Sequence, residues 1–162
     1  MAAATLWRIA AEMRAYPAAD LSGAGAAMSP GRWNARGEPV VYCASSISLA
    51  ALETVAHLDL RGLPQIRFLL EVRLPEEVWA KRETWAAASL DPAWETVPSG
   101  RTSVSLGSRW LASLRCALLL VPSVIVPEER VALINPRHPD SARISCRVKR
   151  SFEYNRFVRG SS

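Results

Sequence analysis

The chain has 162 residues, of which 49 % are hydrophobic, and its 20 basic and 15 acidic residues give a net charge of +5. A domain of about 150 residues hides roughly 70 % of its unfolded surface, so one soluble domain is expected over residues 1–162, with its core about 5–157. All of the excess charge sits in the last twenty residues, where Arg143, Arg147, Lys149, Arg150, Arg156 and Arg159 stand against Glu153 alone. No nucleic-acid motif accompanies that segment, so direct nucleic-acid binding is not expected.

Cys43, Cys116 and Cys146 form no paired motif and leave an odd count, which argues against a disulfide framework and for a reducing compartment. The N-terminus MAAATLWRIAAEMR has no clean apolar h-region. The longest uncharged runs, residues 39–52 and 116–127, are too short to cross a bilayer as helices. A cytoplasmic protein is expected.

In chain order, TLWRIA, residues 5–10, reads as a first strand. Residues 15–31 are rich in Ala, Gly, Ser and Pro without periodicity and read as a long loop. The Gly-Ala-Gly inside that loop lacks the third glycine and the preceding strand of a dinucleotide fingerprint. GRWN and PVVYCA (39–44) read as two short strands joined by Ala35, Arg36 and Gly37.

Ser45 or Ser46 caps a helix in which Ile47, Ala50, Ala51, Val55 and Leu58 recur at three- and four-residue spacing, with Gly62 and Pro64 as its stop. Residues 66–75 alternate Ile66, Phe68, Leu70, Val72 and Leu74 with Arg67, Glu71 and Arg73, a strand ended by Pro75. Residues 76–104 read as loop with a short helix, and 105–116 as a second helix. ALLLVPSVIVP, RVALINP and ARISCRV follow as strands. Short strands and two helices in no regular βαβ order predict an α+β fold.

Several chemistries are excluded by inspection. His57 and His138 are the only histidines, and there is no HExxH, no G-x-S-x-G and no Gly-rich loop ending in Gly-Lys-Ser/Thr. What is left is Arg, Tyr, Glu and Ser. Glu53 is the first charge after a fourteen-residue uncharged run and lies beside Leu49 on a helix apolar nearly all round. A carboxylate near the core boundary needs a partner, which an Arg or His57 could supply. By position alone Arg32 reads equally as a solvated loop charge, Tyr42 as a core strand tyrosine, and Ser123 as a turn serine.

The order LWRIA, SPGRWNARGEPVVYCA, AALETVAHL, WL, VPSVIV and LINPRHP resembles the RES domain, the toxin of bacterial Xre-RES toxin–antitoxin modules, from about Leu6 to Arg156. The resemblance implies a fold similar to the ADP-ribosyltransferases and NAD as the substrate, with no metal. It also implies a cognate Xre-like antitoxin carrying a helix-turn-helix domain. By that resemblance Arg32, Tyr42 and Glu53 are catalytic, Arg8 and Ser123 contact the substrate, and Asn135 is an addition taken from its place in INPRHP.

The residue types suit that reaction. Nicotinamide leaves a cationic nitrogen as a neutral molecule, so no general acid is needed, and positive charge builds on the ribose instead. A carboxylate at the ribose, Glu53, stabilises that charge. Arginine forks at Arg32 and Arg8 suit the pyrophosphate, with Ser123 donating one further hydrogen bond, and the Tyr42 ring suits nicotinamide. Protein, inorganic phosphate and water all remain open as the ADP-ribosyl acceptor. The alternative from another class is a non-enzymatic module that uses the basic C-terminal segment on an acidic partner or nucleic acid.

Overall fold

The computed structural model describes residues 2–56 and 66–154. Its elements in chain order are β1 (Ala2–Ala11), α1 (Ala24–Met28), β2 (Val41–Ala44), α2 (Ile47–Val55), β3 (Arg67–Pro75), α3 (Glu76–Ala80), β4 (Glu83–Thr84), α4 (Arg101–Ser113), β5 (Leu118–Pro122), β6 (Arg130–Ile134) and β7 (Ser145–Phe152). The seven described strands form one sheet in the order β4-β5-β6-β2-β1-β3-β7, antiparallel except for the short β4–β5 pair. This is the α+β architecture expected from the sequence.

The sheet is covered on both faces, which explains why LLLVP carries no polar position. Successive side chains of a strand point to opposite faces. Leu118 and Leu120 join Leu6, Val41, Val72 and Val78 in one core. Leu119 and Val121 join Trp110 and Leu111 of α4, with Trp33 and Trp94, in another. A third cluster seats α2 on the sheet through Leu49 and Ala50 against Ile9 and Leu69. Ser46 is the residue that caps α2, its hydroxyl accepting from the Leu49 N–H at 3.1 Å. The predicted continuation of that helix through His57 and Leu58 to Gly62 lies outside the described residues, as do Arg156 and Arg159.

Four expectations are corrected. GRWN is a turn rather than a strand, because its backbone bonds to side chains instead of to a neighbouring strand. The loop at 15–31 holds the five-residue helix α1, and the later helix starts four residues earlier than predicted, at Arg101. Alternation along β3 places Glu71 on a polar face, yet it is 8 % exposed. β3 lies between β1 and β7, and the Glu71 carboxylate is satisfied there by Arg147 and by Arg73. Among the described residues no helix is long and apolar enough to cross a membrane.

Candidate active site

β1 is paired with β3 along its length and β2 with β6 from Val41 to Ala44. β1 and β2 pair only at Trp7 and Ala44. Where they diverge, the Tyr42 carbonyl loses its strand partner, and an unpaired buried carbonyl is costly. Arg8 of β1 supplies the donor: its Nη1 bonds that carbonyl at 3.0 Å. A cavity of about 820 Å³ opens at this seam, and Arg8, Arg32, Tyr42, Glu53 and Ser123 all line it. A smaller compartment of about 270 Å³ shares Arg8, Ile9, Ser29 and Thr54 with it. The Arg8 Nε is buried and has no hydrogen-bond partner among the described residues, a donor that a ligand oxygen would satisfy.

Arg32 comes from the GRWN turn. Its Nη1 donates to the Trp94 carbonyl at 2.9 Å and to the Thr96 carbonyl at 2.7 Å. Both Nη1 protons are thereby used, and Nε and Nη2 keep the edge of the guanidinium that binds anions bidentately. Burial pulls the Arg32 pKa below its ordinary value, and the negative charge of Glu53 opposes that shift.

Glu53 is half-buried on α2, and its Oε1 accepts from the Ser123 hydroxyl at 2.5 Å. Ser123 follows β5, and its Oγ accepts from the Ile125 and Val126 N–H groups, each at 3.1 Å. A serine hydroxyl has one proton and two lone pairs. With both lone pairs taken by the backbone, its proton is committed to Glu53. Ser123 thus orients the carboxylate, and in this arrangement it has no donor left for a phosphate oxygen.

Tyr42 is held from both ends. Its hydroxyl donates to Asn34 Oδ1 at 2.7 Å and accepts from the Trp33 N–H at 3.0 Å. Burial raises its pKa far above the ordinary tyrosine value, so the phenol stays protonated. What Tyr42 offers the cavity is its ring. Gly31 lies flat against that ring, where an added Cβ would come within 2.7 Å of Cζ.

Asn34 is the residue that the sequence reading missed. It is fully buried; its Oδ1 also accepts from the Gly31 N–H, and its Nδ2 donates to the carbonyls of Ala26, Ala35 and Glu38. One amide therefore builds the turn that presents Arg32 and anchors Tyr42. The signal was the last letter of GRWN, but a loop asparagine has no periodicity to mark it.

Asn135 does not line the cavity. Buried after β6, it donates from Nδ2 to the Leu111 carbonyl at 2.9 Å and accepts at Oδ1 from the Arg137 N–H at 3.1 Å, tying the end of α4 to the following turn. The described cations of the basic segment have partners within the fold. Arg147 pairs with Glu71 and Arg143 with Glu77, and Lys149 lies 5.6 Å from the Trp7 ring centroid.

An α+β domain whose sheet parts at one seam brings two arginines, a carboxylate and an aromatic ring together in the gap, a set of side chains that can receive an anionic organic ligand. The RES domain profile matches residues 5–156, and the chain belongs to that family. It is 52 % identical over 151 residues to the Prs ADP-ribosylating toxin of Sphingobium sp. (strain YBL2), covering 93 % of this chain and 94 % of that one. It is 37 % identical over 146 residues to the Toxin Res of Pseudomonas putida, covering 89 % and 92 %. The toxin–antitoxin complex MbcT–MbcA of M. tuberculosis, known from a crystal structure, matches with a TM-score of 0.63 over 92 % of this chain and 82 % of that one. At 16 % identity that likeness speaks for the fold.

Proposed function

We propose that this chain is the toxin of a toxin–antitoxin pair that binds NAD at the β1–β2 seam and breaks its nicotinamide–ribose bond. The observation that carries the reading is the Ser123-held Glu53 carboxylate in the same cavity as Arg32 and Arg8. A cavity of about 820 Å³ is of the size that takes a cofactor-sized molecule. The Nε–Nη2 edge of Arg32 and the orphan Nε of Arg8 hold the pyrophosphate oxygens. The Tyr42 ring covers the nicotinamide cation.

As the C1′–N1 bond breaks, its electron pair stays on nicotinamide, which departs neutral. The cation left on the ribose is stabilised by Glu53, whose charge is already oriented and needs no reorganisation during the step. The acceptor forms the new bond to C1′ and gives up its proton to solvent. Transfer to a protein side chain is the first reading, and the relative at 52 % identity is named the Prs ADP-ribosylating toxin. Phosphate and water are its competitors at the same carbon. The partner that restrains the toxin is a helix-turn-helix antitoxin of the Xre type, the chain acts in the cytoplasm, and residues 1–162 work as one domain.

The experiment is mass analysis of the products formed from NAD by the purified protein, alone, with phosphate and with cell lysate. A labelled protein band, ADP-ribose phosphate or free ADP-ribose identifies the acceptor. NAD left intact under all three conditions overturns the proposal and favours the non-enzymatic alternative, in whose basic segment Arg143 and Arg147 are ion-paired within the fold.

A further inference from the structure

Residues 85–99 carry no readable motif, yet they supply the only hydrogen-bond partners of Arg32 among the described residues, the carbonyls of Trp94 and Thr96. Why those carbonyls sit there follows from the tryptophans. Trp94 is 2 % exposed and stacks on Trp33, with ring centroids 5.9 Å apart and planes inclined by 19°. Trp85 meets Trp33 edge-on at 5.8 Å. Trp33 is itself fixed: its N–H donates to Tyr42, and its carbonyl lies so close to Gly107 of α4 that an added Cβ there would come within 1.7 Å. Trp94 is thus stacked on the neighbour in sequence of the arginine that its own carbonyl holds. The same stretch continues as Val97, Pro98 and Ser99 into the cavity lining.

We infer that Trp94 is a positioning residue: its stack on Trp33 holds the carbonyls of Trp94 and Thr96 against Arg32 Nη1 and so sets the direction of the Nε–Nη2 edge that grips the substrate's anionic group. A guanidinium is planar, so two bonds at one nitrogen fix the whole fork, whereas an Arg32 without them swings about its long side chain. The inference deepens the NAD reading and rests on it for the identity of the anion. It does not rest on it for the coupling of Trp94 to Arg32.

The test uses Trp94→Leu, which removes the stack but fills most of the space, and Trp94→Phe, which restores an aromatic face. Trp94→Leu is expected to raise the Kd and KM for NAD about tenfold with kcat within about threefold, the scale of weakened charge-assisted hydrogen bonds. Trp94→Phe should recover to within about twofold, and in an Arg32→Ala background Trp94→Leu should add less than about twofold, because the two act through one contact. An equal loss with and without Arg32, or no loss at all, overturns the inference. If Trp94→Leu lacks the wild-type thermal transition, Trp94→Met replaces it in the same cycle.

A readout without NAD separates the two claims. Nitrogen-15 relaxation at the Arg32 Nε–H should report a more mobile guanidinium in Trp94→Leu than in wild type. Unchanged relaxation overturns the positioning role, whatever the protein does to NAD. Wild-type protein that binds no NAD overturns the proposed function and leaves the positioning role to be decided by relaxation.

Discussion

Glu53→Gln isolates charge from structure at the proposed catalytic position. The glutamine carbonyl oxygen can still accept the Ser123 hydroxyl, so the bond from Ser123 Oγ, and with it the bonds from Ile125 and Val126 to that oxygen, survive the substitution. What disappears is one negative charge in the cavity, placed at the ribose in the proposed reaction, and the partner that opposes the burial shift of Arg32. Losing one preorganised electrostatic stabiliser typically costs about 10²–10³ in kcat, or roughly 2.7–4 kcal/mol of transition-state stabilisation. Fold stability and Kd for NAD should change little, since the side-chain shape and its hydrogen bond persist. The assay pairs initial rates of nicotinamide release with calorimetric NAD binding and a thermal melt. A kcat within about threefold of wild type would show that Glu53 does not stabilise the leaving-group step. A loss confined to Kd would make it a ribose-binding group only.

The other outcomes follow from the same geometry. Tyr42→Phe keeps the ring but removes a hydroxyl bonded to Asn34 and Trp33, so nicotinamide release should stay within about threefold while stability falls by about 1–3 kcal/mol; a rate loss of a hundredfold would give the hydroxyl a chemical role. Asn135→Ala unties Leu111 from Arg137 and should lower the melting temperature without changing NAD affinity, and weaker binding with an unchanged melt would return Asn135 to the site. The Arg147 hydrogen bond holds the Glu71 carboxyl below its ordinary value. The stabilisation from that group is complete above the unfolded carboxylate pKa of about 4.3 and is lost as pH falls through the lower folded value. The unfolding midpoint should therefore drop more steeply on acidification in wild type than in Glu71→Gln, and parallel curves would refute the linkage.

The sheet was readable because its strands carry their own signature. LLLVP and RVALI are uniform or alternating runs whose partners need not be known for the period to show, and β1, β3 and the Ser46-capped α2 fall where the pattern puts them. Glu71 escaped because alternation reports which side chains share a face but not whether both faces are covered. What closes over Glu71 is set by its cross-strand neighbours, Trp7 of β1 and Arg147 of β7, which a single strand's pattern does not contain. GRWN escaped for the complementary reason: its shape comes from the Asn34 side chain bonding backbone across residues 26–38, an organisation with no period at all.

The five cavity residues were gathered by the ordered resemblance, since nothing in a spacing of ten and eleven places Arg32, Tyr42 and Glu53 together. Their convergence depends on a defect in regularity, the one-pair seam between β1 and β2. A fully zipped seam would give Tyr42 a strand partner for its carbonyl and leave Arg8 no reason to enter the gap. The roles within the site divide along the same line. Tyr42 and Ser123 have their polar atoms spent on the protein, so they shape and orient, while Arg8 Nε and the Arg32 edge keep unspent donors. The resemblance gave Tyr42 and Ser123 substrate roles alongside Arg8, Arg32 and Glu53. The count of committed protons separates those that hold the site from those left to hold a ligand.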